Sequence, residues 1–427
     1  MILNNPTVTK ILNKQSKTKM VSDALKNDYK RFGFTKNYLT KKFENIEELK
    51  KYAPGSVLCE VIRPSIFQFS RFKFDFNPGE IYVMPLDFYT RTFHSGQYFC
   101  LKPYKKKFCE YFKRYSGENI NGKKLLIWRV GGLGDLMFSQ PLVQYLKEKY
   151  PNSHITYATS PENMSLFNYW ADGLVDRIIS IPFRYEELDE HDFHLSFEGS
   201  IERCKEAEKI NCYDIFKKVA NLEFDIKKYH PKLFPKIDDV KKFSELVPKN
   251  TILLQVRASS PTRMMKTTNW VLLIKKLLEM GFKVGFIDSS DNYKMYDAFN
   301  KLYDFEETDV INFAKYSNNI NDGISILSNC KSLIGIDSSF THFAPALGIP
   351  TVGVYGPFLG DLRMRYYNNS QWVDSIDFKG CGLYPCFFHQ SEVNKCPYFV
   401  KKEPVGCLSS ISEDEIIKKL KMVLNYE

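Results

Sequence analysis

LLIWRVGGLGDLMFSQPLVQYLKEKYPNSHITYAT, residues 125–159, is the stretch that decides the fold of this 427-residue chain. It begins with a continuous apolar run, LLIWRV, which is typical of a strand buried on both faces of a parallel sheet. A glycine-rich loop, GGLGD, follows, and then a helical segment and a second apolar run, HITYAT. Strand, loop, helix and strand in this order predict a parallel α/β sheet.

The same alternation returns after a Lys- and Pro-rich segment at residues 225–250, which we interpret as an interdomain linker. The second set begins with TILLQV at 251–256 and continues through KVGFID, SLIGID and TVGVYG, with helical patterns between these runs. We therefore expect two Rossmann-like lobes, at 123–235 and 249–427, that face each other across a cleft. Ligands of such sheets usually bind beyond the carboxyl ends of the strands.

The region before residue 123 has a different texture. Residues 1–55 predict a basic, mainly helical extension, and alternating apolar and polar residues at 56–100 predict a small β-rich module. A basic amphipathic helix is expected at 101–122. Residues 1–120 carry 22 Lys and Arg against 11 Asp and Glu, whereas the rest of the chain is nearly neutral. The surplus suits an anionic partner, such as a phosphorylated glycolipid, a nucleic acid or an acidic membrane surface; a solvated basic face is the alternative.

The chain shows no run of the roughly 18 uncharged apolar residues that a membrane span needs, and no apolar leader at its N-terminus. We expect a cytoplasmic protein, with peripheral contact to the inner membrane face as an option. Its ten cysteines are then expected to be free thiols. Cys381, Cys386, Cys396 and Cys407 cluster late, but their spacing is loose for zinc. Reduced thiols without a metal are therefore favoured, and a structural zinc site with CGLYPC as one half is the alternative.

Two polar blocks follow predicted strands. The first contains Gly131, Gly132 and Gly134, which let a substrate approach the backbone, and Asp135, which is either a helix N-cap or a functional carboxylate. The second turn could bind a diphosphate at a helix N-terminus, or it could be a capped turn with its histidine packed on its own helix. Its residues are Asp337, Ser338, Ser339 and His342.

A third block follows TILLQV and combines cations with hydroxyl groups. Arg257, Ser259, Arg263 and Lys266 could grip phosphates, and a solvated basic loop is the equal alternative.

Together the blocks resemble glycosyltransferase family 9, the heptosyltransferases of lipopolysaccharide core synthesis. Residues 125–157 are similar to the family's R-x-G-x-G-D loop, and LSNCKSLIGIDSSFTHFAPALGIPTVGVYGP at 327–357 is similar to its donor segment. LLQVRASSPTRMMKTTNWVLLIKKL at 253–277 resembles the segment between them. The resemblance covers about residues 121–420 and implies a GT-B type fold.

The resemblance implies an inverting, metal-independent transfer of a heptose-like sugar from a nucleoside-diphosphate sugar, with an ADP-sugar favoured, to an acceptor hydroxyl. Asp135 would be the general base, with Arg129 and the three glycines of its loop near the acceptor. Arg263 stands where the family commonly has a diphosphate-gripping Lys, and Ser339 replaces the family's usual Gly. No cofactor is implied. The expected donor-binding residues are Arg257, Ser259, Arg263, Lys266, Asp337, Ser338, Ser339 and His342.

Two alternatives stay open. A glycosyltransferase of the same fold could modify a nucleic-acid base, because basic and aromatic residues are interleaved at 67–76, as in single-strand binding; those phenylalanines could equally form the core of their module, which we favour. A non-catalytic nucleotide-binding protein of this fold is the other alternative, and the retained Asp135 argues against it.

Overall fold

The structure, a computed structural model, describes residues 42–51, 55–69, 72–85, 100–104, 110–375, 386, 396 and 406–426. The extension predicted at 1–55 lies largely outside these residues. The chain forms two compact units. The first comprises Met1–Val130, Ser153–Pro161 and Arg177–Cys204, and the second Gly131–Asn152, Glu162–Asp176 and Lys205–Glu427.

The described residues of the first unit form ten strands in three sheets. One sheet is antiparallel with the order β5-β1-β4-β9, β2 and β3 form a separate hairpin, and the third sheet is parallel with the order β10-β6-β7-β8. The strands are β1 (Ser56–Val61), β2 (Ser65–Phe69), β3 (Phe72–Phe76), β4 (Ile81–Pro85), β5 (Leu101–Pro103), β6 (Lys124–Trp128), β7 (His154–Thr159), β8 (Arg177–Ser180), β9 (Phe183–Arg184) and β10 (Phe193–Ser196).

The second unit contains a six-stranded, fully parallel sheet with the order β13-β12-β11-β14-β15-β16. Three of its strands are completely buried, which explains their continuous apolar sequences. The strands are β11 (Thr251–Gln255), β12 (Lys283–Phe286), β13 (Val310–Asn312), β14 (Ser332–Ile336), β15 (Thr351–Tyr355) and β16 (Ser370–Asp374).

The α-helices of the described residues lie mostly in the second unit, and only α1 and α3 belong to the first. No helix in these described parts is long and apolar enough to cross a membrane. The helices are α1 (Ile46–Lys50), α2 (Leu133–Lys149), α3 (Glu186–Asp189), α4 (Cys212–Val219), α5 (Ile237–Lys241), α6 (Thr267–Glu279), α7 (Tyr293–Leu302), α8 (Ile320–Leu327), α9 (Phe340–Ala346), α10 (Asp361–Met364), α11 (Gly406–Ser409) and α12 (Glu413–Leu424).

The hairpin of β2 and β3 shows what the interleaved phenylalanines do. Its register pairs Phe67 with Phe74, which places Phe67 on the same face as the phenylalanines of β3. Phe67 and Phe76 are buried in the core of the first unit, and Phe74 packs against it. The interpretation of these residues as core is therefore confirmed for Phe67 and Phe76, whereas Lys73 lies on the opposite, exposed face.

The helix predicted from residue 101 is wrong at its start. Leu101–Pro103 forms β5 instead and pairs antiparallel with Cys59–Val61 of β1. Residues 105–109 lie outside the described part, and residues 110–122 contain no α-helix. Sheet pairing with β1 overrides the local helical pattern because it satisfies the backbone groups of an otherwise open edge.

The two parallel sheets confirm the mixed α/β fold expected from the sequence. In each sheet the first strand of the repeat lies inside, since β6 pairs with both β7 and β10, and β11 pairs with both β12 and β14. Side chains that follow these inner strands therefore emerge at the carboxyl edge of a sheet, where parallel α/β folds place their ligands.

Candidate active site

Asp135 lies in the first turn of α2, but it is not the N-cap. The N-cap is Gly132, whose φ of +76° lies in the left-handed region. The amide of Asp135 donates to Gly132 O at 2.8 Å. A Cβ built on Gly132 would stand 2.1 Å from Oδ2 of Asp135, so the carboxylate folds back over the glycine. The N-cap hypothesis for Asp135 is therefore wrong, and Gly132 is required because a side chain there would collide with the carboxylate.

The next glycine, Gly134, packs on His342 of α9. A Cβ on Gly134 would be 3.0 Å from Cδ2 of His342. The imidazole also meets the ring of Phe138 edge-on, with centroids 4.8 Å apart. His342 therefore packs on α2 rather than on its own helix alone, and the first and second polar blocks meet in the second unit.

His342 is almost fully buried, at 2% exposure. Burial lowers the pKa of His342 to about 4; Asp337 opposes the shift and Arg363 adds to it. The imidazole is thus neutral at physiological pH, and its Nδ1 has no hydrogen-bond partner among the described residues. A neutral, buried imidazole can donate or accept a single hydrogen bond to a ligand, but it is not a source of protons.

Asp337, directly after β14, holds two guanidinium groups. Nη1 of Arg263 donates to the backbone oxygen of Asp337 at 2.9 Å and lies 3.4 Å from Oδ2. Nε of Arg363 lies 3.8 Å from Oδ1. The carboxylate is buried, so both guanidinium groups are held at the end of β14 by the same buried anion.

Arg363 on α10 is a residue that the sequence analysis missed. Its side chain is 5% exposed, its Nη1 donates to Sγ of Cys212 at 2.7 Å, and its guanidinium lies over the ring of Phe358. Burial alone would lower the pKa of Arg363, but nearby acidic groups, which include the carboxylates of Asp337 and Asp135, raise it overall. The only sequence signal was its position shortly after the strand TVGVY, in a segment without a recognisable motif.

The residues of the third polar block contact different groups. Arg263 approaches Asp337, and its Nη2 donates to Ser259 at 2.5 Å. Arg257 instead pairs with Asp288 at 3.2 Å, a carboxylate that also accepts from Tyr296. Lys266 is exposed, and its amide donates to Ser409. The structure thus brings Arg263 to the Asp337 turn, whereas Arg257 contacts a different carboxylate.

The turn after Asp337 is held by its own side chains. Thr341 donates through Oγ1 to the backbone oxygen of Ser338 at 2.5 Å. Ser338 and Ser339 are half-buried, and Ser339 precedes α9 directly.

Arg129, in the first unit, is engaged by a buried ion pair. It is 3% exposed, donates to the backbone oxygen of Phe197 at 3.1 Å and makes a bidentate contact with Glu202. Arg129 holds the pKa of Glu202 below its usual range, although burial alone would raise it. The amide of Val130 donates to Glu198. These contacts fix the chain just before the glycine loop.

Among the described residues, the late cysteines do not form a complete set of metal ligands. Cys381 lies outside the described residues, whereas Cys386, Cys396 and Cys407 are described and half-buried. Among the residues described, no three His, Cys, Asp or Glu side chains are grouped so that they could hold a metal ion.

Comparison with known structures shows the fold. The family 9 glycosyltransferase from Veillonella parvula superposes with a TM-score of 0.55 at 15% identity, covering 73% of this chain and 99% of that one. ADP-heptose lps heptosyltransferase II from E. coli matches with a TM-score of 0.50 at 15% identity, covering 71% and 98%. The iron-containing dodecameric glycosyltransferase TibC from enterotoxigenic E. coli matches with a TM-score of 0.50 at 11% identity, covering 88% and 92%. The GT-B type fold expected from the sequence is thereby confirmed.

No curated protein matches this chain by sequence. The model of glycosyltransferase family 9 (heptosyltransferase) does, over residues 211–379, which include Arg263, Asp337, His342 and Arg363. Residues 211–379 therefore resemble a glycosyltransferase family 9 domain, the family that the sequence blocks resembled.

Proposed function

We propose that this chain transfers a heptose-like sugar from a nucleoside-diphosphate sugar, with ADP-heptose as the favoured donor, to a hydroxyl group of a lipopolysaccharide-type surface glycan. The observation that carries the proposal is the convergence of Asp135, His342 and the Asp337–Arg363 pair within one compact unit. The family match and the likeness to a protein described as an ADP-heptose lps heptosyltransferase support the choice of donor.

The first chemical requirement is to stabilise the diphosphate leaving group. As the bond between the anomeric carbon and the diphosphate oxygen breaks, the electron pair stays on the diphosphate, whose negative charge grows. Asp337 holds Arg263 and Arg363 at the end of β14, and guanidinium groups suit bidentate contact with phosphate oxygens. Preorganised cations of this kind stabilise the charge that develops in the transition state. In this proposal they do the work of a divalent cation, so chelators leave turnover unchanged.

The second chemical requirement is to remove the proton of the acceptor hydroxyl. Its oxygen forms the new bond to the anomeric carbon, and its proton must go to a base. We assign that role to Asp135, whose carboxylate lies in the first turn of α2, and leave the buried His342 beside Gly134 as a neutral hydrogen-bonding group. Attack from the face opposite to the leaving diphosphate inverts the anomeric configuration. Gly132, over which the carboxylate folds, and Gly134, which packs on His342, then position the carboxylate.

We propose that the acceptor is charged and that it is a phosphorylated glycolipid. The nucleic-acid alternative depended on the phenylalanines at 67–76, and two of them are buried in a core, which leaves it without support. Proteins that bind the donor without turnover remain the competing class, and the following experiment separates them from enzymes.

The test uses the Asp135→Asn variant with a panel of nucleotide sugars. We expect ADP-heptose to bind and to be consumed by the wild type, and the variant to lose roughly 10²–10⁴-fold in kcat while the donor Kd changes little. Asp176→Asn is the matched control, because Asp176 pairs with Lys147 at the far end of α2 and should turn over normally. Near-normal turnover by the Asp135 variant would remove it as the base, and binding without transfer by the wild type would favour the non-catalytic class.

A further inference from the structure

An extended segment of the second unit, Lys232–Ile237, is held tightly by its backbone. Gln140 of α2 accepts from the amide of Lys232 at 2.7 Å and donates to its carbonyl oxygen at 2.8 Å. The next two amides donate to Ala346 O at 3.0 Å and to Tyr169 O at 2.7 Å. We call this segment the KFK strip. Its backbone leaves the outward side chains little freedom to turn inward.

The outward side chains of the KFK strip are alternately basic and apolar. Leu233 points inward and is buried, whereas Lys232, Phe234 and Lys236 are exposed. Phe234 is 53% exposed and Ile237, which begins α5, is 71% exposed. Within the residues that the structure describes, neither Lys232 nor Lys236 forms an ion pair. Within the described residues, Phe234 and Ile237 are thus large apolar side chains in water, each beside an ammonium group that forms no ion pair.

The surrounding charge is also positive. Residues 227–242 contain six Lys and two Asp. Lys228 pairs with Glu148 and Lys242 with Asp322, and Asp239 accepts from the hydroxyl of Tyr169. A basic surface with protruding apolar side chains complements a surface that is anionic outside and apolar beneath.

We infer that the KFK strip docks on an anionic lipid bilayer, with Phe234 and Ile237 inserted among the acyl chains and Lys232 and Lys236 at the phosphate level. Aromatic and aliphatic side chains on one face with Lys around them are the composition of interfacial membrane segments. A single-stranded nucleic acid is less suited, since Ile237 offers no ring for base stacking and the strip has no Arg. The surface is distinct from the proposed donor residues, so its test does not require turnover.

A local probe tests the docking in the full chain. The Phe234→Trp variant is mixed with vesicles of phosphatidylcholine, alone or with phosphatidylglycerol, and emission is corrected for the native tryptophans with the wild type. We expect a blue shift and quenching by brominated acyl chains only with the anionic vesicles, and a loss of both at high salt. Leu302→Trp is the matched control, because Leu302 is 73% exposed beside the exposed Lys301 on α7. It should show neither signal.

Charge removal supplies the second measurement. Adding Lys232→Gln and Lys236→Gln to the probe variant should weaken vesicle binding roughly 30-fold at low salt, since each Lys near an anionic surface contributes several-fold in affinity. Adding Lys301→Gln should leave it unchanged, and thermal unfolding checks that all variants fold. Equal signals from the probes at 234 and 302 would overturn the inference. So would a shift at 234 that single-stranded DNA produces and vesicles do not.

Discussion

Gly134 packs tightly against His342: a Cβ at Gly134 would lie 3.0 Å from Cδ2 of the imidazole, so the ring would have to shift by a few tenths of an ångström. The two residues come from polar blocks in distant parts of the sequence, yet both belong to the second compact unit. The contact brings the first turn of α2, which carries Asp135, beside the helix that follows the Asp337 turn. The proposed base and the proposed diphosphate ligands are thereby part of one packed structure.

The Gly132→Ala variant should test whether activity depends on the position of the Asp135 carboxylate over Gly132. The new Cβ would stand 2.1 Å from Oδ2 of Asp135 at a φ of +76°, so the carboxylate must move and the backbone is strained. We expect a loss of stability of about 1–2 kcal/mol and a fall in kcat of more than about tenfold. Steady-state kinetics and urea unfolding measure both effects.

Gly131→Ala is the control for this change. A Cβ at Gly131 meets no atom within 4 Å, and its φ is not positive. Activity and stability should stay within about twofold and 0.5 kcal/mol of the wild type. Equal damage in both variants would mean that the loop as a whole, and not the Asp135 contact, is sensitive.

Arg363→Gln should affect both folding and donor binding. The change leaves Asp337 with one guanidinium instead of two and removes the donor to Cys212. Breaking a buried ion pair costs about 3–5 kcal/mol, and the retained Arg263 favours the lower end of that range. We also expect the donor KM to rise more than about tenfold, because a charge-assisted phosphate contact is lost.

Arg365→Gln on the neighbouring turn is the matched control. Arg365 is exposed and pairs with Asp361 four residues earlier, a kind of contact that contributes about 0.5 kcal/mol or less. Stability and KM should hardly change. If Arg365→Gln raised KM as much as Arg363→Gln, Arg363 would have no special role.

The stability of the chain should fall as the pH is lowered through the range of His342. The folded-state pKa of about 4 lies below the ordinary 6.5, so between these values the unfolded chain binds the proton and the folded chain does not. Stability therefore rises with pH in this window and is lost on acidification. For His342 alone we expect a loss of about 2 kcal/mol between about pH 7.5 and pH 5.

Urea unfolding at both pH values measures this loss, and His342→Gln should reduce it by a similar amount even if the variant is less stable throughout. His194 adds a parallel contribution in the first unit, since burial lowers its pKa to about 4 as well. An unchanged pH dependence in the His342 variant would show that the imidazole is accessible to protons in the folded state.

Phe67→Ala should destabilise the first unit, because Phe67 is 1% exposed and stacks on Phe76. Removing a buried phenylalanine costs about 3–5 kcal/mol through lost burial and the cavity that remains. Its neighbour in β2, Ile66, is 56% exposed, and Ile66→Ala should cost less than about 1 kcal/mol. Similar unfolding midpoints for the two variants would contradict the core assignment.

Most of the fold could be predicted from the sequence, because the patterns that indicate strands and helices lie within short segments. LLIW, TILLQ, SLIGI and TVGVY all form the buried strands that their apolar runs predicted. The helical patterns of α2, α6, α8 and α9 were also recognisable, whereas α7 was not predicted. The failure at Leu101–Pro103 has a physical cause as well. That segment forms a strand because β1 offers it a pairing edge, and the edge comes from residues far away in the sequence.

The candidate active site could be predicted from the sequence only in part. The sequence by itself determined that a glycine loop with Asp135, and a turn with Asp337 and His342, follow buried strands, since strand ends and turns are encoded by neighbouring residues. Tertiary structure alone decided that Arg363 joins Asp337, that Arg257 pairs with Asp288 and that the carboxylate of Asp135 lies over Gly132. The partner of a buried charge is set by the packing of helices and strands distant along the chain, and no spacing pattern within a segment records it.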